Sequence, residues 1–241
     1  MARSEIKENT AWDDMVLRVA YTADALSLAG EDGDKPVGAL EKPVDKLLTQ
    51  WDALDLERRT KRRAVGRAHA LVRRRDVQAD EVVKAIHDDT LGHVKQDREA
   101  PLFRRLFPDP VSTVVRMALE SQLPVMRTLA LKLAEDETPA ALKKAHTKAL
   151  ADAIERGDAA VKGREEAFSQ AGRTSARVAS WREDANHVLR GVEGALQQIA
   201  SERRLGSDWV DAFFPTVARG KGSKKGGKKK ESGGEGGGTP T

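Results

Sequence analysis

Residues 178–199 read VASWREDANHVLRGVEGALQQI, and their apolar positions recur in alternating steps of three and four residues. The seam comprises Val178, Trp181, Ala185, Val188, Val192, Ala195 and Ile199. This heptad spacing predicts a coiled-coil-like helix that packs one apolar stripe against a neighbouring helix. A thinner seam of small residues continues the register back to Ala153. We therefore expect helix throughout residues 139–205, either as one helix or as two that break at Gly157 or Gly163.

A second long helix is predicted over residues 43–97. Pro43 suits the first turn of a helix, and neither Gly nor Pro interrupts the pattern near Asp76. The apolar positions are Leu47, Trp51, Leu54, Val65, Ala68, Val72, Val82, Val83, Ile86, Leu91 and Val94. A helix of about 50 residues is roughly 80 Å long at about 1.5 Å per residue. Antiparallel pairing of the two long helices joins positions whose numbers sum to about 236, and this pairing predicts contact between Trp51 and Trp181.

The composition is typical of a helical protein rather than of a sheet protein. Aromatic residues make up 4% of the 241 residues, whereas Ala, Leu, Glu, Lys and Arg are abundant. Such a composition favours long helices. We therefore predict an all-α fold, an elongated helical bundle in which shorter helices pack along two long, antiparallel, coiled-coil-like helices.

The shorter helices are indicated by capping residues and prolines. Helix starts are predicted by Thr10 with Asp13, by Asp109 with Pro110 and by Thr138 with Pro139. Pro124 is expected to kink the helix that begins after Pro110 rather than to end it. Residues 209–214 contain three aromatic side chains, which either fold back to close the end of the bundle or dock a partner.

The chain is expected to divide at about residue 218. Residues 1–218 are predicted to form the helical domain, whereas residues 219–241 are rich in Gly and Lys and contain no large apolar side chain. This composition predicts a disordered basic tail. Cysteine is absent, and no stretch approaches the roughly 18 apolar residues of a membrane span. No leader-like apolar segment follows Met1, so that we expect a cytoplasmic protein without membrane contact.

Charge is segregated along the chain, although the formal net charge is only +4. Residues 58–75, RRTKRRAVGRAHALVRRR, contain nine Arg and Lys and no Asp or Glu. Residues 1–57 carry a net charge of −7, residues 76–97 one of −4 and residues 219–241 one of +5. Basic clusters of this kind attract phosphate groups. The candidate anion- or nucleic-acid-binding residues are Arg58, Arg59, Arg62, Arg63, Arg67, Arg73, Arg74, Arg75, Lys224, Lys225, Lys228, Lys229 and Lys230.

We predict a non-enzymatic helical scaffold or protein-interaction protein, with a nucleic-acid-associated architectural protein as the alternative, and the Arg-rich stretch distinguishes the two. If its arginines cover the flank of a bundle helix and pair with carboxylates, the protein is a non-enzymatic scaffold that binds an unidentified protein or a second copy of itself. If they form one uncovered face, the protein is a nucleic-acid-associated architectural protein. No aromatic residue lies between positions 52 and 102, so we expect no stacking platform for single-stranded nucleic acid. It also lacks helix-turn-helix and zinc-finger spacings.

No catalytic, metal-binding or nucleotide-binding signature accompanies these features. None of the five histidines follows a Glu at the Glu-x-x-His spacing of di-iron bundles. Residues 222–229, GSKKGGKK, resemble a phosphate-binding loop, but Lys229 stands where that loop has its magnesium-binding Ser or Thr. We expect no enzyme activity, no cofactor and no metal, with a ligand pocket inside the bundle as a third alternative.

Overall fold

The computed structural model describes residues 5–7 and 10–215, and within these ranges it contains helices and no strand. The helices are α1 (Trp12–Glu31), α2 (Lys35–Gly38), α3 (Glu41–His93), α4 (Pro101–Leu106), α5 (Val111–Val114), α6 (Leu119–Ala134), α7 (Ala140–Glu202) and α8 (Ser207–Asp211). The predicted all-α fold is confirmed. Within the same ranges, no helix has the length and hydropathy needed to cross a membrane. The predicted tail, residues 219–241, lies outside the described residues.

Helices α3 and α7 are the two long helices, and they pack against each other. They contain 53 and 63 residues, which correspond to about 80 and 95 Å at about 1.5 Å per residue. Neither Gly157 nor Gly163 interrupts α7, so the segment forms one helix. Helix α3 ends earlier than expected, at His93, because Lys95 and Gln96 have φ angles of 51° and 67°. These left-handed conformations terminate a helix.

Contacts near both ends of the pair confirm the antiparallel register. The ring centroids of Trp51 and Trp181 lie 4.7 Å apart, and the Trp181 indole N–H donates to the carbonyl of Leu47 at 3.0 Å. Near the other end, His146 Nε2 lies 2.8 Å from Asp89 Oδ2. These pairs follow the predicted register to within about two helical turns.

The buried stripe of α7 departs from the predicted heptad seam after Ala185. Its buried members are Val178, Trp181, Ala185, Leu189, Val192, Leu196 and Ala200. The predicted Val188, Ala195 and Ile199 are only partly buried. An α-helix has about 3.6 residues per turn, so a stripe shared among several neighbours drifts away from a strict 3.5-residue repeat. In this region α7 packs not only against α3 but also against α1 and α8. The coiled-coil character remains a prediction.

The buried side chains form two clusters that share α3 and α7. One cluster, here called the tryptophan lobe, joins α1, α2 and α8 to the first part of α3 and the last part of α7. The other, the α6 lobe, joins α4, α5 and α6 to the last part of α3 and the first part of α7. Between the lobes, residues 56–71 of α3 and 161–173 of α7 contain no buried side chain. We call this two-helix segment the waist.

The predicted capping residues do not cap their helices. Helix α1 begins without a side-chain cap. The helix expected after Pro110 stops at Val114 and resumes only at Leu119. The Thr138 hydroxyl donates instead to the carbonyl of Lys132 at 2.9 Å, and this bond closes the C-terminal end of α6 rather than the start of α7.

Two local predictions concern Pro124 and the C-terminal aromatic residues. Helix α6 continues past Pro124 to Ala134, so that this proline does not end the helix, and the kink stays a prediction. Phe213 and Phe214 are buried in the tryptophan lobe. The C-terminal aromatic segment therefore closes the end of the bundle and does not form an exposed docking peptide.

Candidate nucleic-acid interface

An arginine surface covers the side of α3 that points away from α7. Lys61, Val65 and Ala68 are partly buried, and Lys61 Nζ donates to Gln170 Oε1 of α7 at 2.8 Å. These positions mark the side of α3 that contacts α7. Because a helix turns about 100° per residue, the opposite side holds a separate set of residues. This set, which we call the arginine face, consists of Arg62, Arg63, Arg67, Arg73 and Arg74.

The arginine face is exposed and unpaired. All five side chains are exposed, and within the described ranges none forms an ion pair. Across the waist, Glu165 and Glu166 of α7 lie nearly level with the arginines, but they form no ion pair with them either. The arginines are therefore gathered on one side of the helix and are not interleaved with carboxylates.

Small residues separate the arginines. Gly66 and Ala70 lie within the same surface, and a Cβ atom added at Gly66 would meet no atom within 4 Å. From Arg62 to Arg74 the helix rises about 18 Å at about 1.5 Å per residue. Along one DNA strand the phosphates are about 3.4 Å apart in the axial direction, so this length matches about five phosphates.

Arg58 and Arg59 belong to the fold instead. Both guanidinium groups bind the buried carboxylate of Asp55, with Arg58 Nη2 at 2.6 Å from Asp55 Oδ1. The hydrogen bond from Arg59, followed by the one from Arg58, lowers the pKa of Asp55 below its usual value. Arg58 also lies over the ring of Trp12, with its Cζ atom 5.6 Å from the ring centroid. These two predicted binding residues are engaged at the edge of the tryptophan lobe.

The remaining predicted residues fall into two groups. Arg75 is partly buried, and its Nη1 donates to Gln78 Oε1 at 2.6 Å. The five candidate lysines of the tail lie outside the described residues; they are Lys224, Lys225, Lys228, Lys229 and Lys230. The structure thus gives five of the thirteen candidates a common, unobstructed surface.

One edge of the waist is closed by polar contacts between the two helices. The Thr174 hydroxyl donates to Glu57 Oε1 at 3.0 Å, and Arg177 forms an ion pair with the same carboxylate. The Thr174 hydrogen bond, and then Arg177, lower the pKa of Glu57. This carboxylate is therefore held by α7 and does not neutralise the arginine face.

The other edge carries an aromatic contact that sequence reasoning missed. Phe168 of α7 meets the ring of His69 in α3 edge to face, with centroids 5.1 Å apart and planes at 89°. Phe168 remains 48% exposed. No aromatic residue is near the Arg-rich stretch in the sequence, but the fold brings Phe168 into contact with it. The predicted register, which sets residues 68 and 168 level, was the signal that could have revealed this contact.

Carboxylates gather where the waist meets the α6 lobe. Gln122 is fully buried, and its Nε2 donates to Asp80 Oδ1 at 2.8 Å. Asp76 Oδ1 and Gln122 Oε1 are buried and have no hydrogen-bond partner among the residues that the structure describes. Burial raises the pKa of Asp76, and the charges of Asp80 and Glu120 add to the rise. These groups face the interior of the lobe and take no part in the arginine face.

The described residues give little support for a metal site or for an enzyme active site. Within the described ranges, no three His, Asp or Glu side chains come together in a way that could hold a metal ion. A cavity of about 200 Å³ in the α6 lobe has a largely apolar lining that includes Val83, Phe107, Met126 and Leu129. Its charged lining residues are Asp109 and Lys132, and nothing there resembles a catalytic group of acid, base and nucleophile.

Comparison with known proteins gives no assignment. No protein-family model, curated protein or solved structure matches the chain. The function is therefore inferred from the residues of this chain and their geometry.

Proposed function

We propose that this protein is a non-enzymatic helical protein that binds nucleic acid by holding the phosphate backbone on its arginine face. The single observation that carries the proposal is that Arg62, Arg63, Arg67, Arg73 and Arg74 are exposed on one side of α3 and form no ion pair with any other described residue. Guanidinium groups bind phosphate oxygens through paired N–H donors. The scaffold alternative expects arginines that alternate with carboxylates, and only Arg58 and Arg59 follow that expectation.

The clustering of these charges also supports binding to a polyanion. Arg63 and Arg67 are four residues apart on one helix, a spacing at which like charges repel. Because no carboxylate in residues 5–7 and 10–215 pairs with them, this repulsion lowers the stability of the free protein locally, as functional surfaces often do. The segments on either side of residues 58–75 have net charges of −7 and −4, so that within the first 97 residues the attraction for phosphate is greatest at the Arg-rich stretch.

The proposal is tested by the salt dependence of binding to a labelled DNA duplex, measured by fluorescence anisotropy on the full chain. The variant carries Arg62→Gln, Arg63→Gln and Arg67→Gln. A matched control carries Lys84→Gln, Lys144→Gln and Lys148→Gln. It removes the same charge from exposed lysines of the α6 lobe that form no ion pair within the described part of the chain. A second control replaces Lys224, Lys225, Lys228, Lys229 and Lys230 of the tail with Gln.

We expect the arginine variant to reduce the slope of log Kobs against log salt by nearly one unit for each lost phosphate contact. The α6-lobe control should keep the wild-type slope. Wild-type protein that does not bind even at low salt would reject the proposal. If the slope of log Kobs against log salt decreased in the tail control alone, the phosphate contacts would be made by the tail and not by the arginine face.

A second candidate function, a protein scaffold, is favoured by the outer side of α1. Leu17, Tyr21 and Leu28 are 64%, 45% and 59% exposed, and their spacing of four and seven residues sets them on one helix face. Such a stripe suits contact with another helix. Sedimentation of the wild type and of a Leu17→Gln, Leu28→Gln variant tests the scaffold function. Self-association of the wild type that the variant loses supports a scaffold. A wild type that stays monomeric at every concentration counts against self-association.

A further inference from the structure

We infer that the waist binds single-stranded nucleic acid in preference to duplex, with Phe168 as the surface on which a base stacks. This inference rests on the proposed function, because it adds a base contact to the phosphate contacts of the arginine face. The observation behind it is the juxtaposition of an exposed aromatic ring with the unpaired arginines.

Phe168 differs from the other phenylalanines of the chain. Phe103, Phe107, Phe213 and Phe214 are 5% to 8% exposed and belong to the two cores, whereas Phe168 is 48% exposed. An exposed ring of this size forgoes much of the stabilisation that burial provides. Packing within the waist therefore leaves a large part of the ring available to a ligand.

The position of the ring relative to the arginines follows from its contact with His69. On α3, Arg62 lies about two turns before His69 and Arg73 lies one turn after it, so both share the side of the helix on which His69 stands. The rings of Phe168 and His69 meet edge to face, with centroids 5.1 Å apart. The phenyl ring therefore contacts α3 between the positions of Arg62 and Arg73, at the border of the arginine face.

The surface beyond the ring is open. Gly172 follows Phe168 by one turn of α7, and a Cβ atom added there would meet no atom within 4 Å. Glu165, one turn before Phe168, is the carboxylate that lies closest to the ring by helical spacing, and it would repel a phosphate chain that ran along α7. A strand is therefore directed across the ring towards α3, where the arginines lie.

This pairing of features selects a single strand for a physical reason. In a duplex, both faces of each base are covered by neighbouring base pairs, so that a ring on a protein surface reaches only the edges and the backbone. A single strand exposes the faces of its bases, and stacking on aromatic side chains combined with a basic groove is the general mode of single-strand binding. The arginine face alone gives no such preference, since phosphate contacts are available on both forms.

The test compares a labelled oligothymidylate with the duplex that it forms with oligoadenylate, using the full chain and Phe168→Leu, Phe168→Tyr and Leu71→Ala variants. Leu71 is 41% exposed and stands on the waist outside the arginine face. We expect the wild type to bind the single strand more tightly. Phe168→Leu should weaken single-strand binding about 5- to 10-fold, the effect of losing one stacked base, with an unchanged salt slope and unchanged duplex binding. Phe168→Tyr and Leu71→Ala should bind like the wild type.

A second measurement uses only the wild-type chain, so its result does not depend on whether a variant folds. Ultraviolet cross-linking of oligothymidylate to the wild-type chain, followed by peptide mapping, should attach the base to the peptide that contains Phe168. The inference is overturned if Phe168→Leu binds the single strand as the wild type does, or if the cross-link maps to other peptides only. In those cases a reduced salt slope in the arginine variant would still support the proposed function, whereas failure of the wild type to bind either form would reject both.

Discussion

Asp76 is a carboxylate whose burial opposes its ionisation. Its pKa is raised by burial first and then by the charges of Asp80 and Glu120. Because the folded pKa exceeds the unfolded one, the stability linked to this group is fully present below the unfolded pKa and is lost as the pH rises through the folded value. We predict that Asp76→Asn raises the melting temperature near pH 7, and that the difference disappears below about pH 4. Circular dichroism melts at both pH values would contradict this if the variant melted lower at pH 7.

Asp55 shows the opposite linkage. Hydrogen bonds from Arg59 and then Arg58 lower its pKa, so its contribution to stability is present above the usual aspartate pKa and is lost as the pH falls through the lowered value. We predict that Asp55→Asn destabilises the protein by about 1 kcal/mol at neutral pH, a modest effect because Arg59 is largely exposed. Urea denaturation measures it, with Asp52→Asn, an exposed residue of the same helix, as the control that should change little.

At the scale of elements, two glycines of α7 provide a matched pair. A Cβ atom at Gly157 would lie 2.7 Å from Leu123 Cδ2, whereas one at Gly163 would meet no atom within 4 Å. We predict that Gly163→Ala stabilises the protein by about 0.5 to 1 kcal/mol through helix propensity. Gly157→Ala should lose that gain, because the buried Leu123 side chain has to move. Equal thermal stability of the two variants would contradict the packing of α6 on α7.

The long helices were predictable because their signals repeat many times. Each apolar position along α3 and α7 adds to the same periodic pattern, and the pairing of Trp51 with Trp181 followed from the hairpin register alone. The slip of the α7 stripe to Leu189 and Leu196 was not predictable from the heptad pattern, since it depends on how α1 and α8 share the surface of α7. Single capping residues such as Thr138 carry a weaker signal because one side-chain hydrogen bond has several possible acceptors.

The candidate site was predictable only in part. The sequence located the basic stretch, but it could not separate Arg58 and Arg59, which bind Asp55, from the arginines that remain free. That distinction depends on which way each side chain points once the helices have paired. The contact of Phe168 with His69 likewise joins distant parts of the chain and exists only in the folded waist.

On the scale of the whole molecule, two cores are connected by a waist that has no buried side chain. The arginine face lies at this connection, and the composition of residues 219–241 predicts a tail that supports neither core. We predict that deletion of these residues leaves the melting temperature unchanged within error. A clear decrease in the deletion variant would show that the tail packs on one of the lobes.

The central claim is that the arginine face binds nucleic-acid phosphates. The most direct test is a variant in which all five arginines of the face are replaced with Gln while the tail is kept intact. Its binding to a single strand is measured as a function of salt concentration. If each arginine contacts one phosphate, the slope of log Kobs against log salt should decrease by about 3 to 4 units, at about 0.7 unit per contact. A five-residue variant that is folded and retains the wild-type slope would contradict the account.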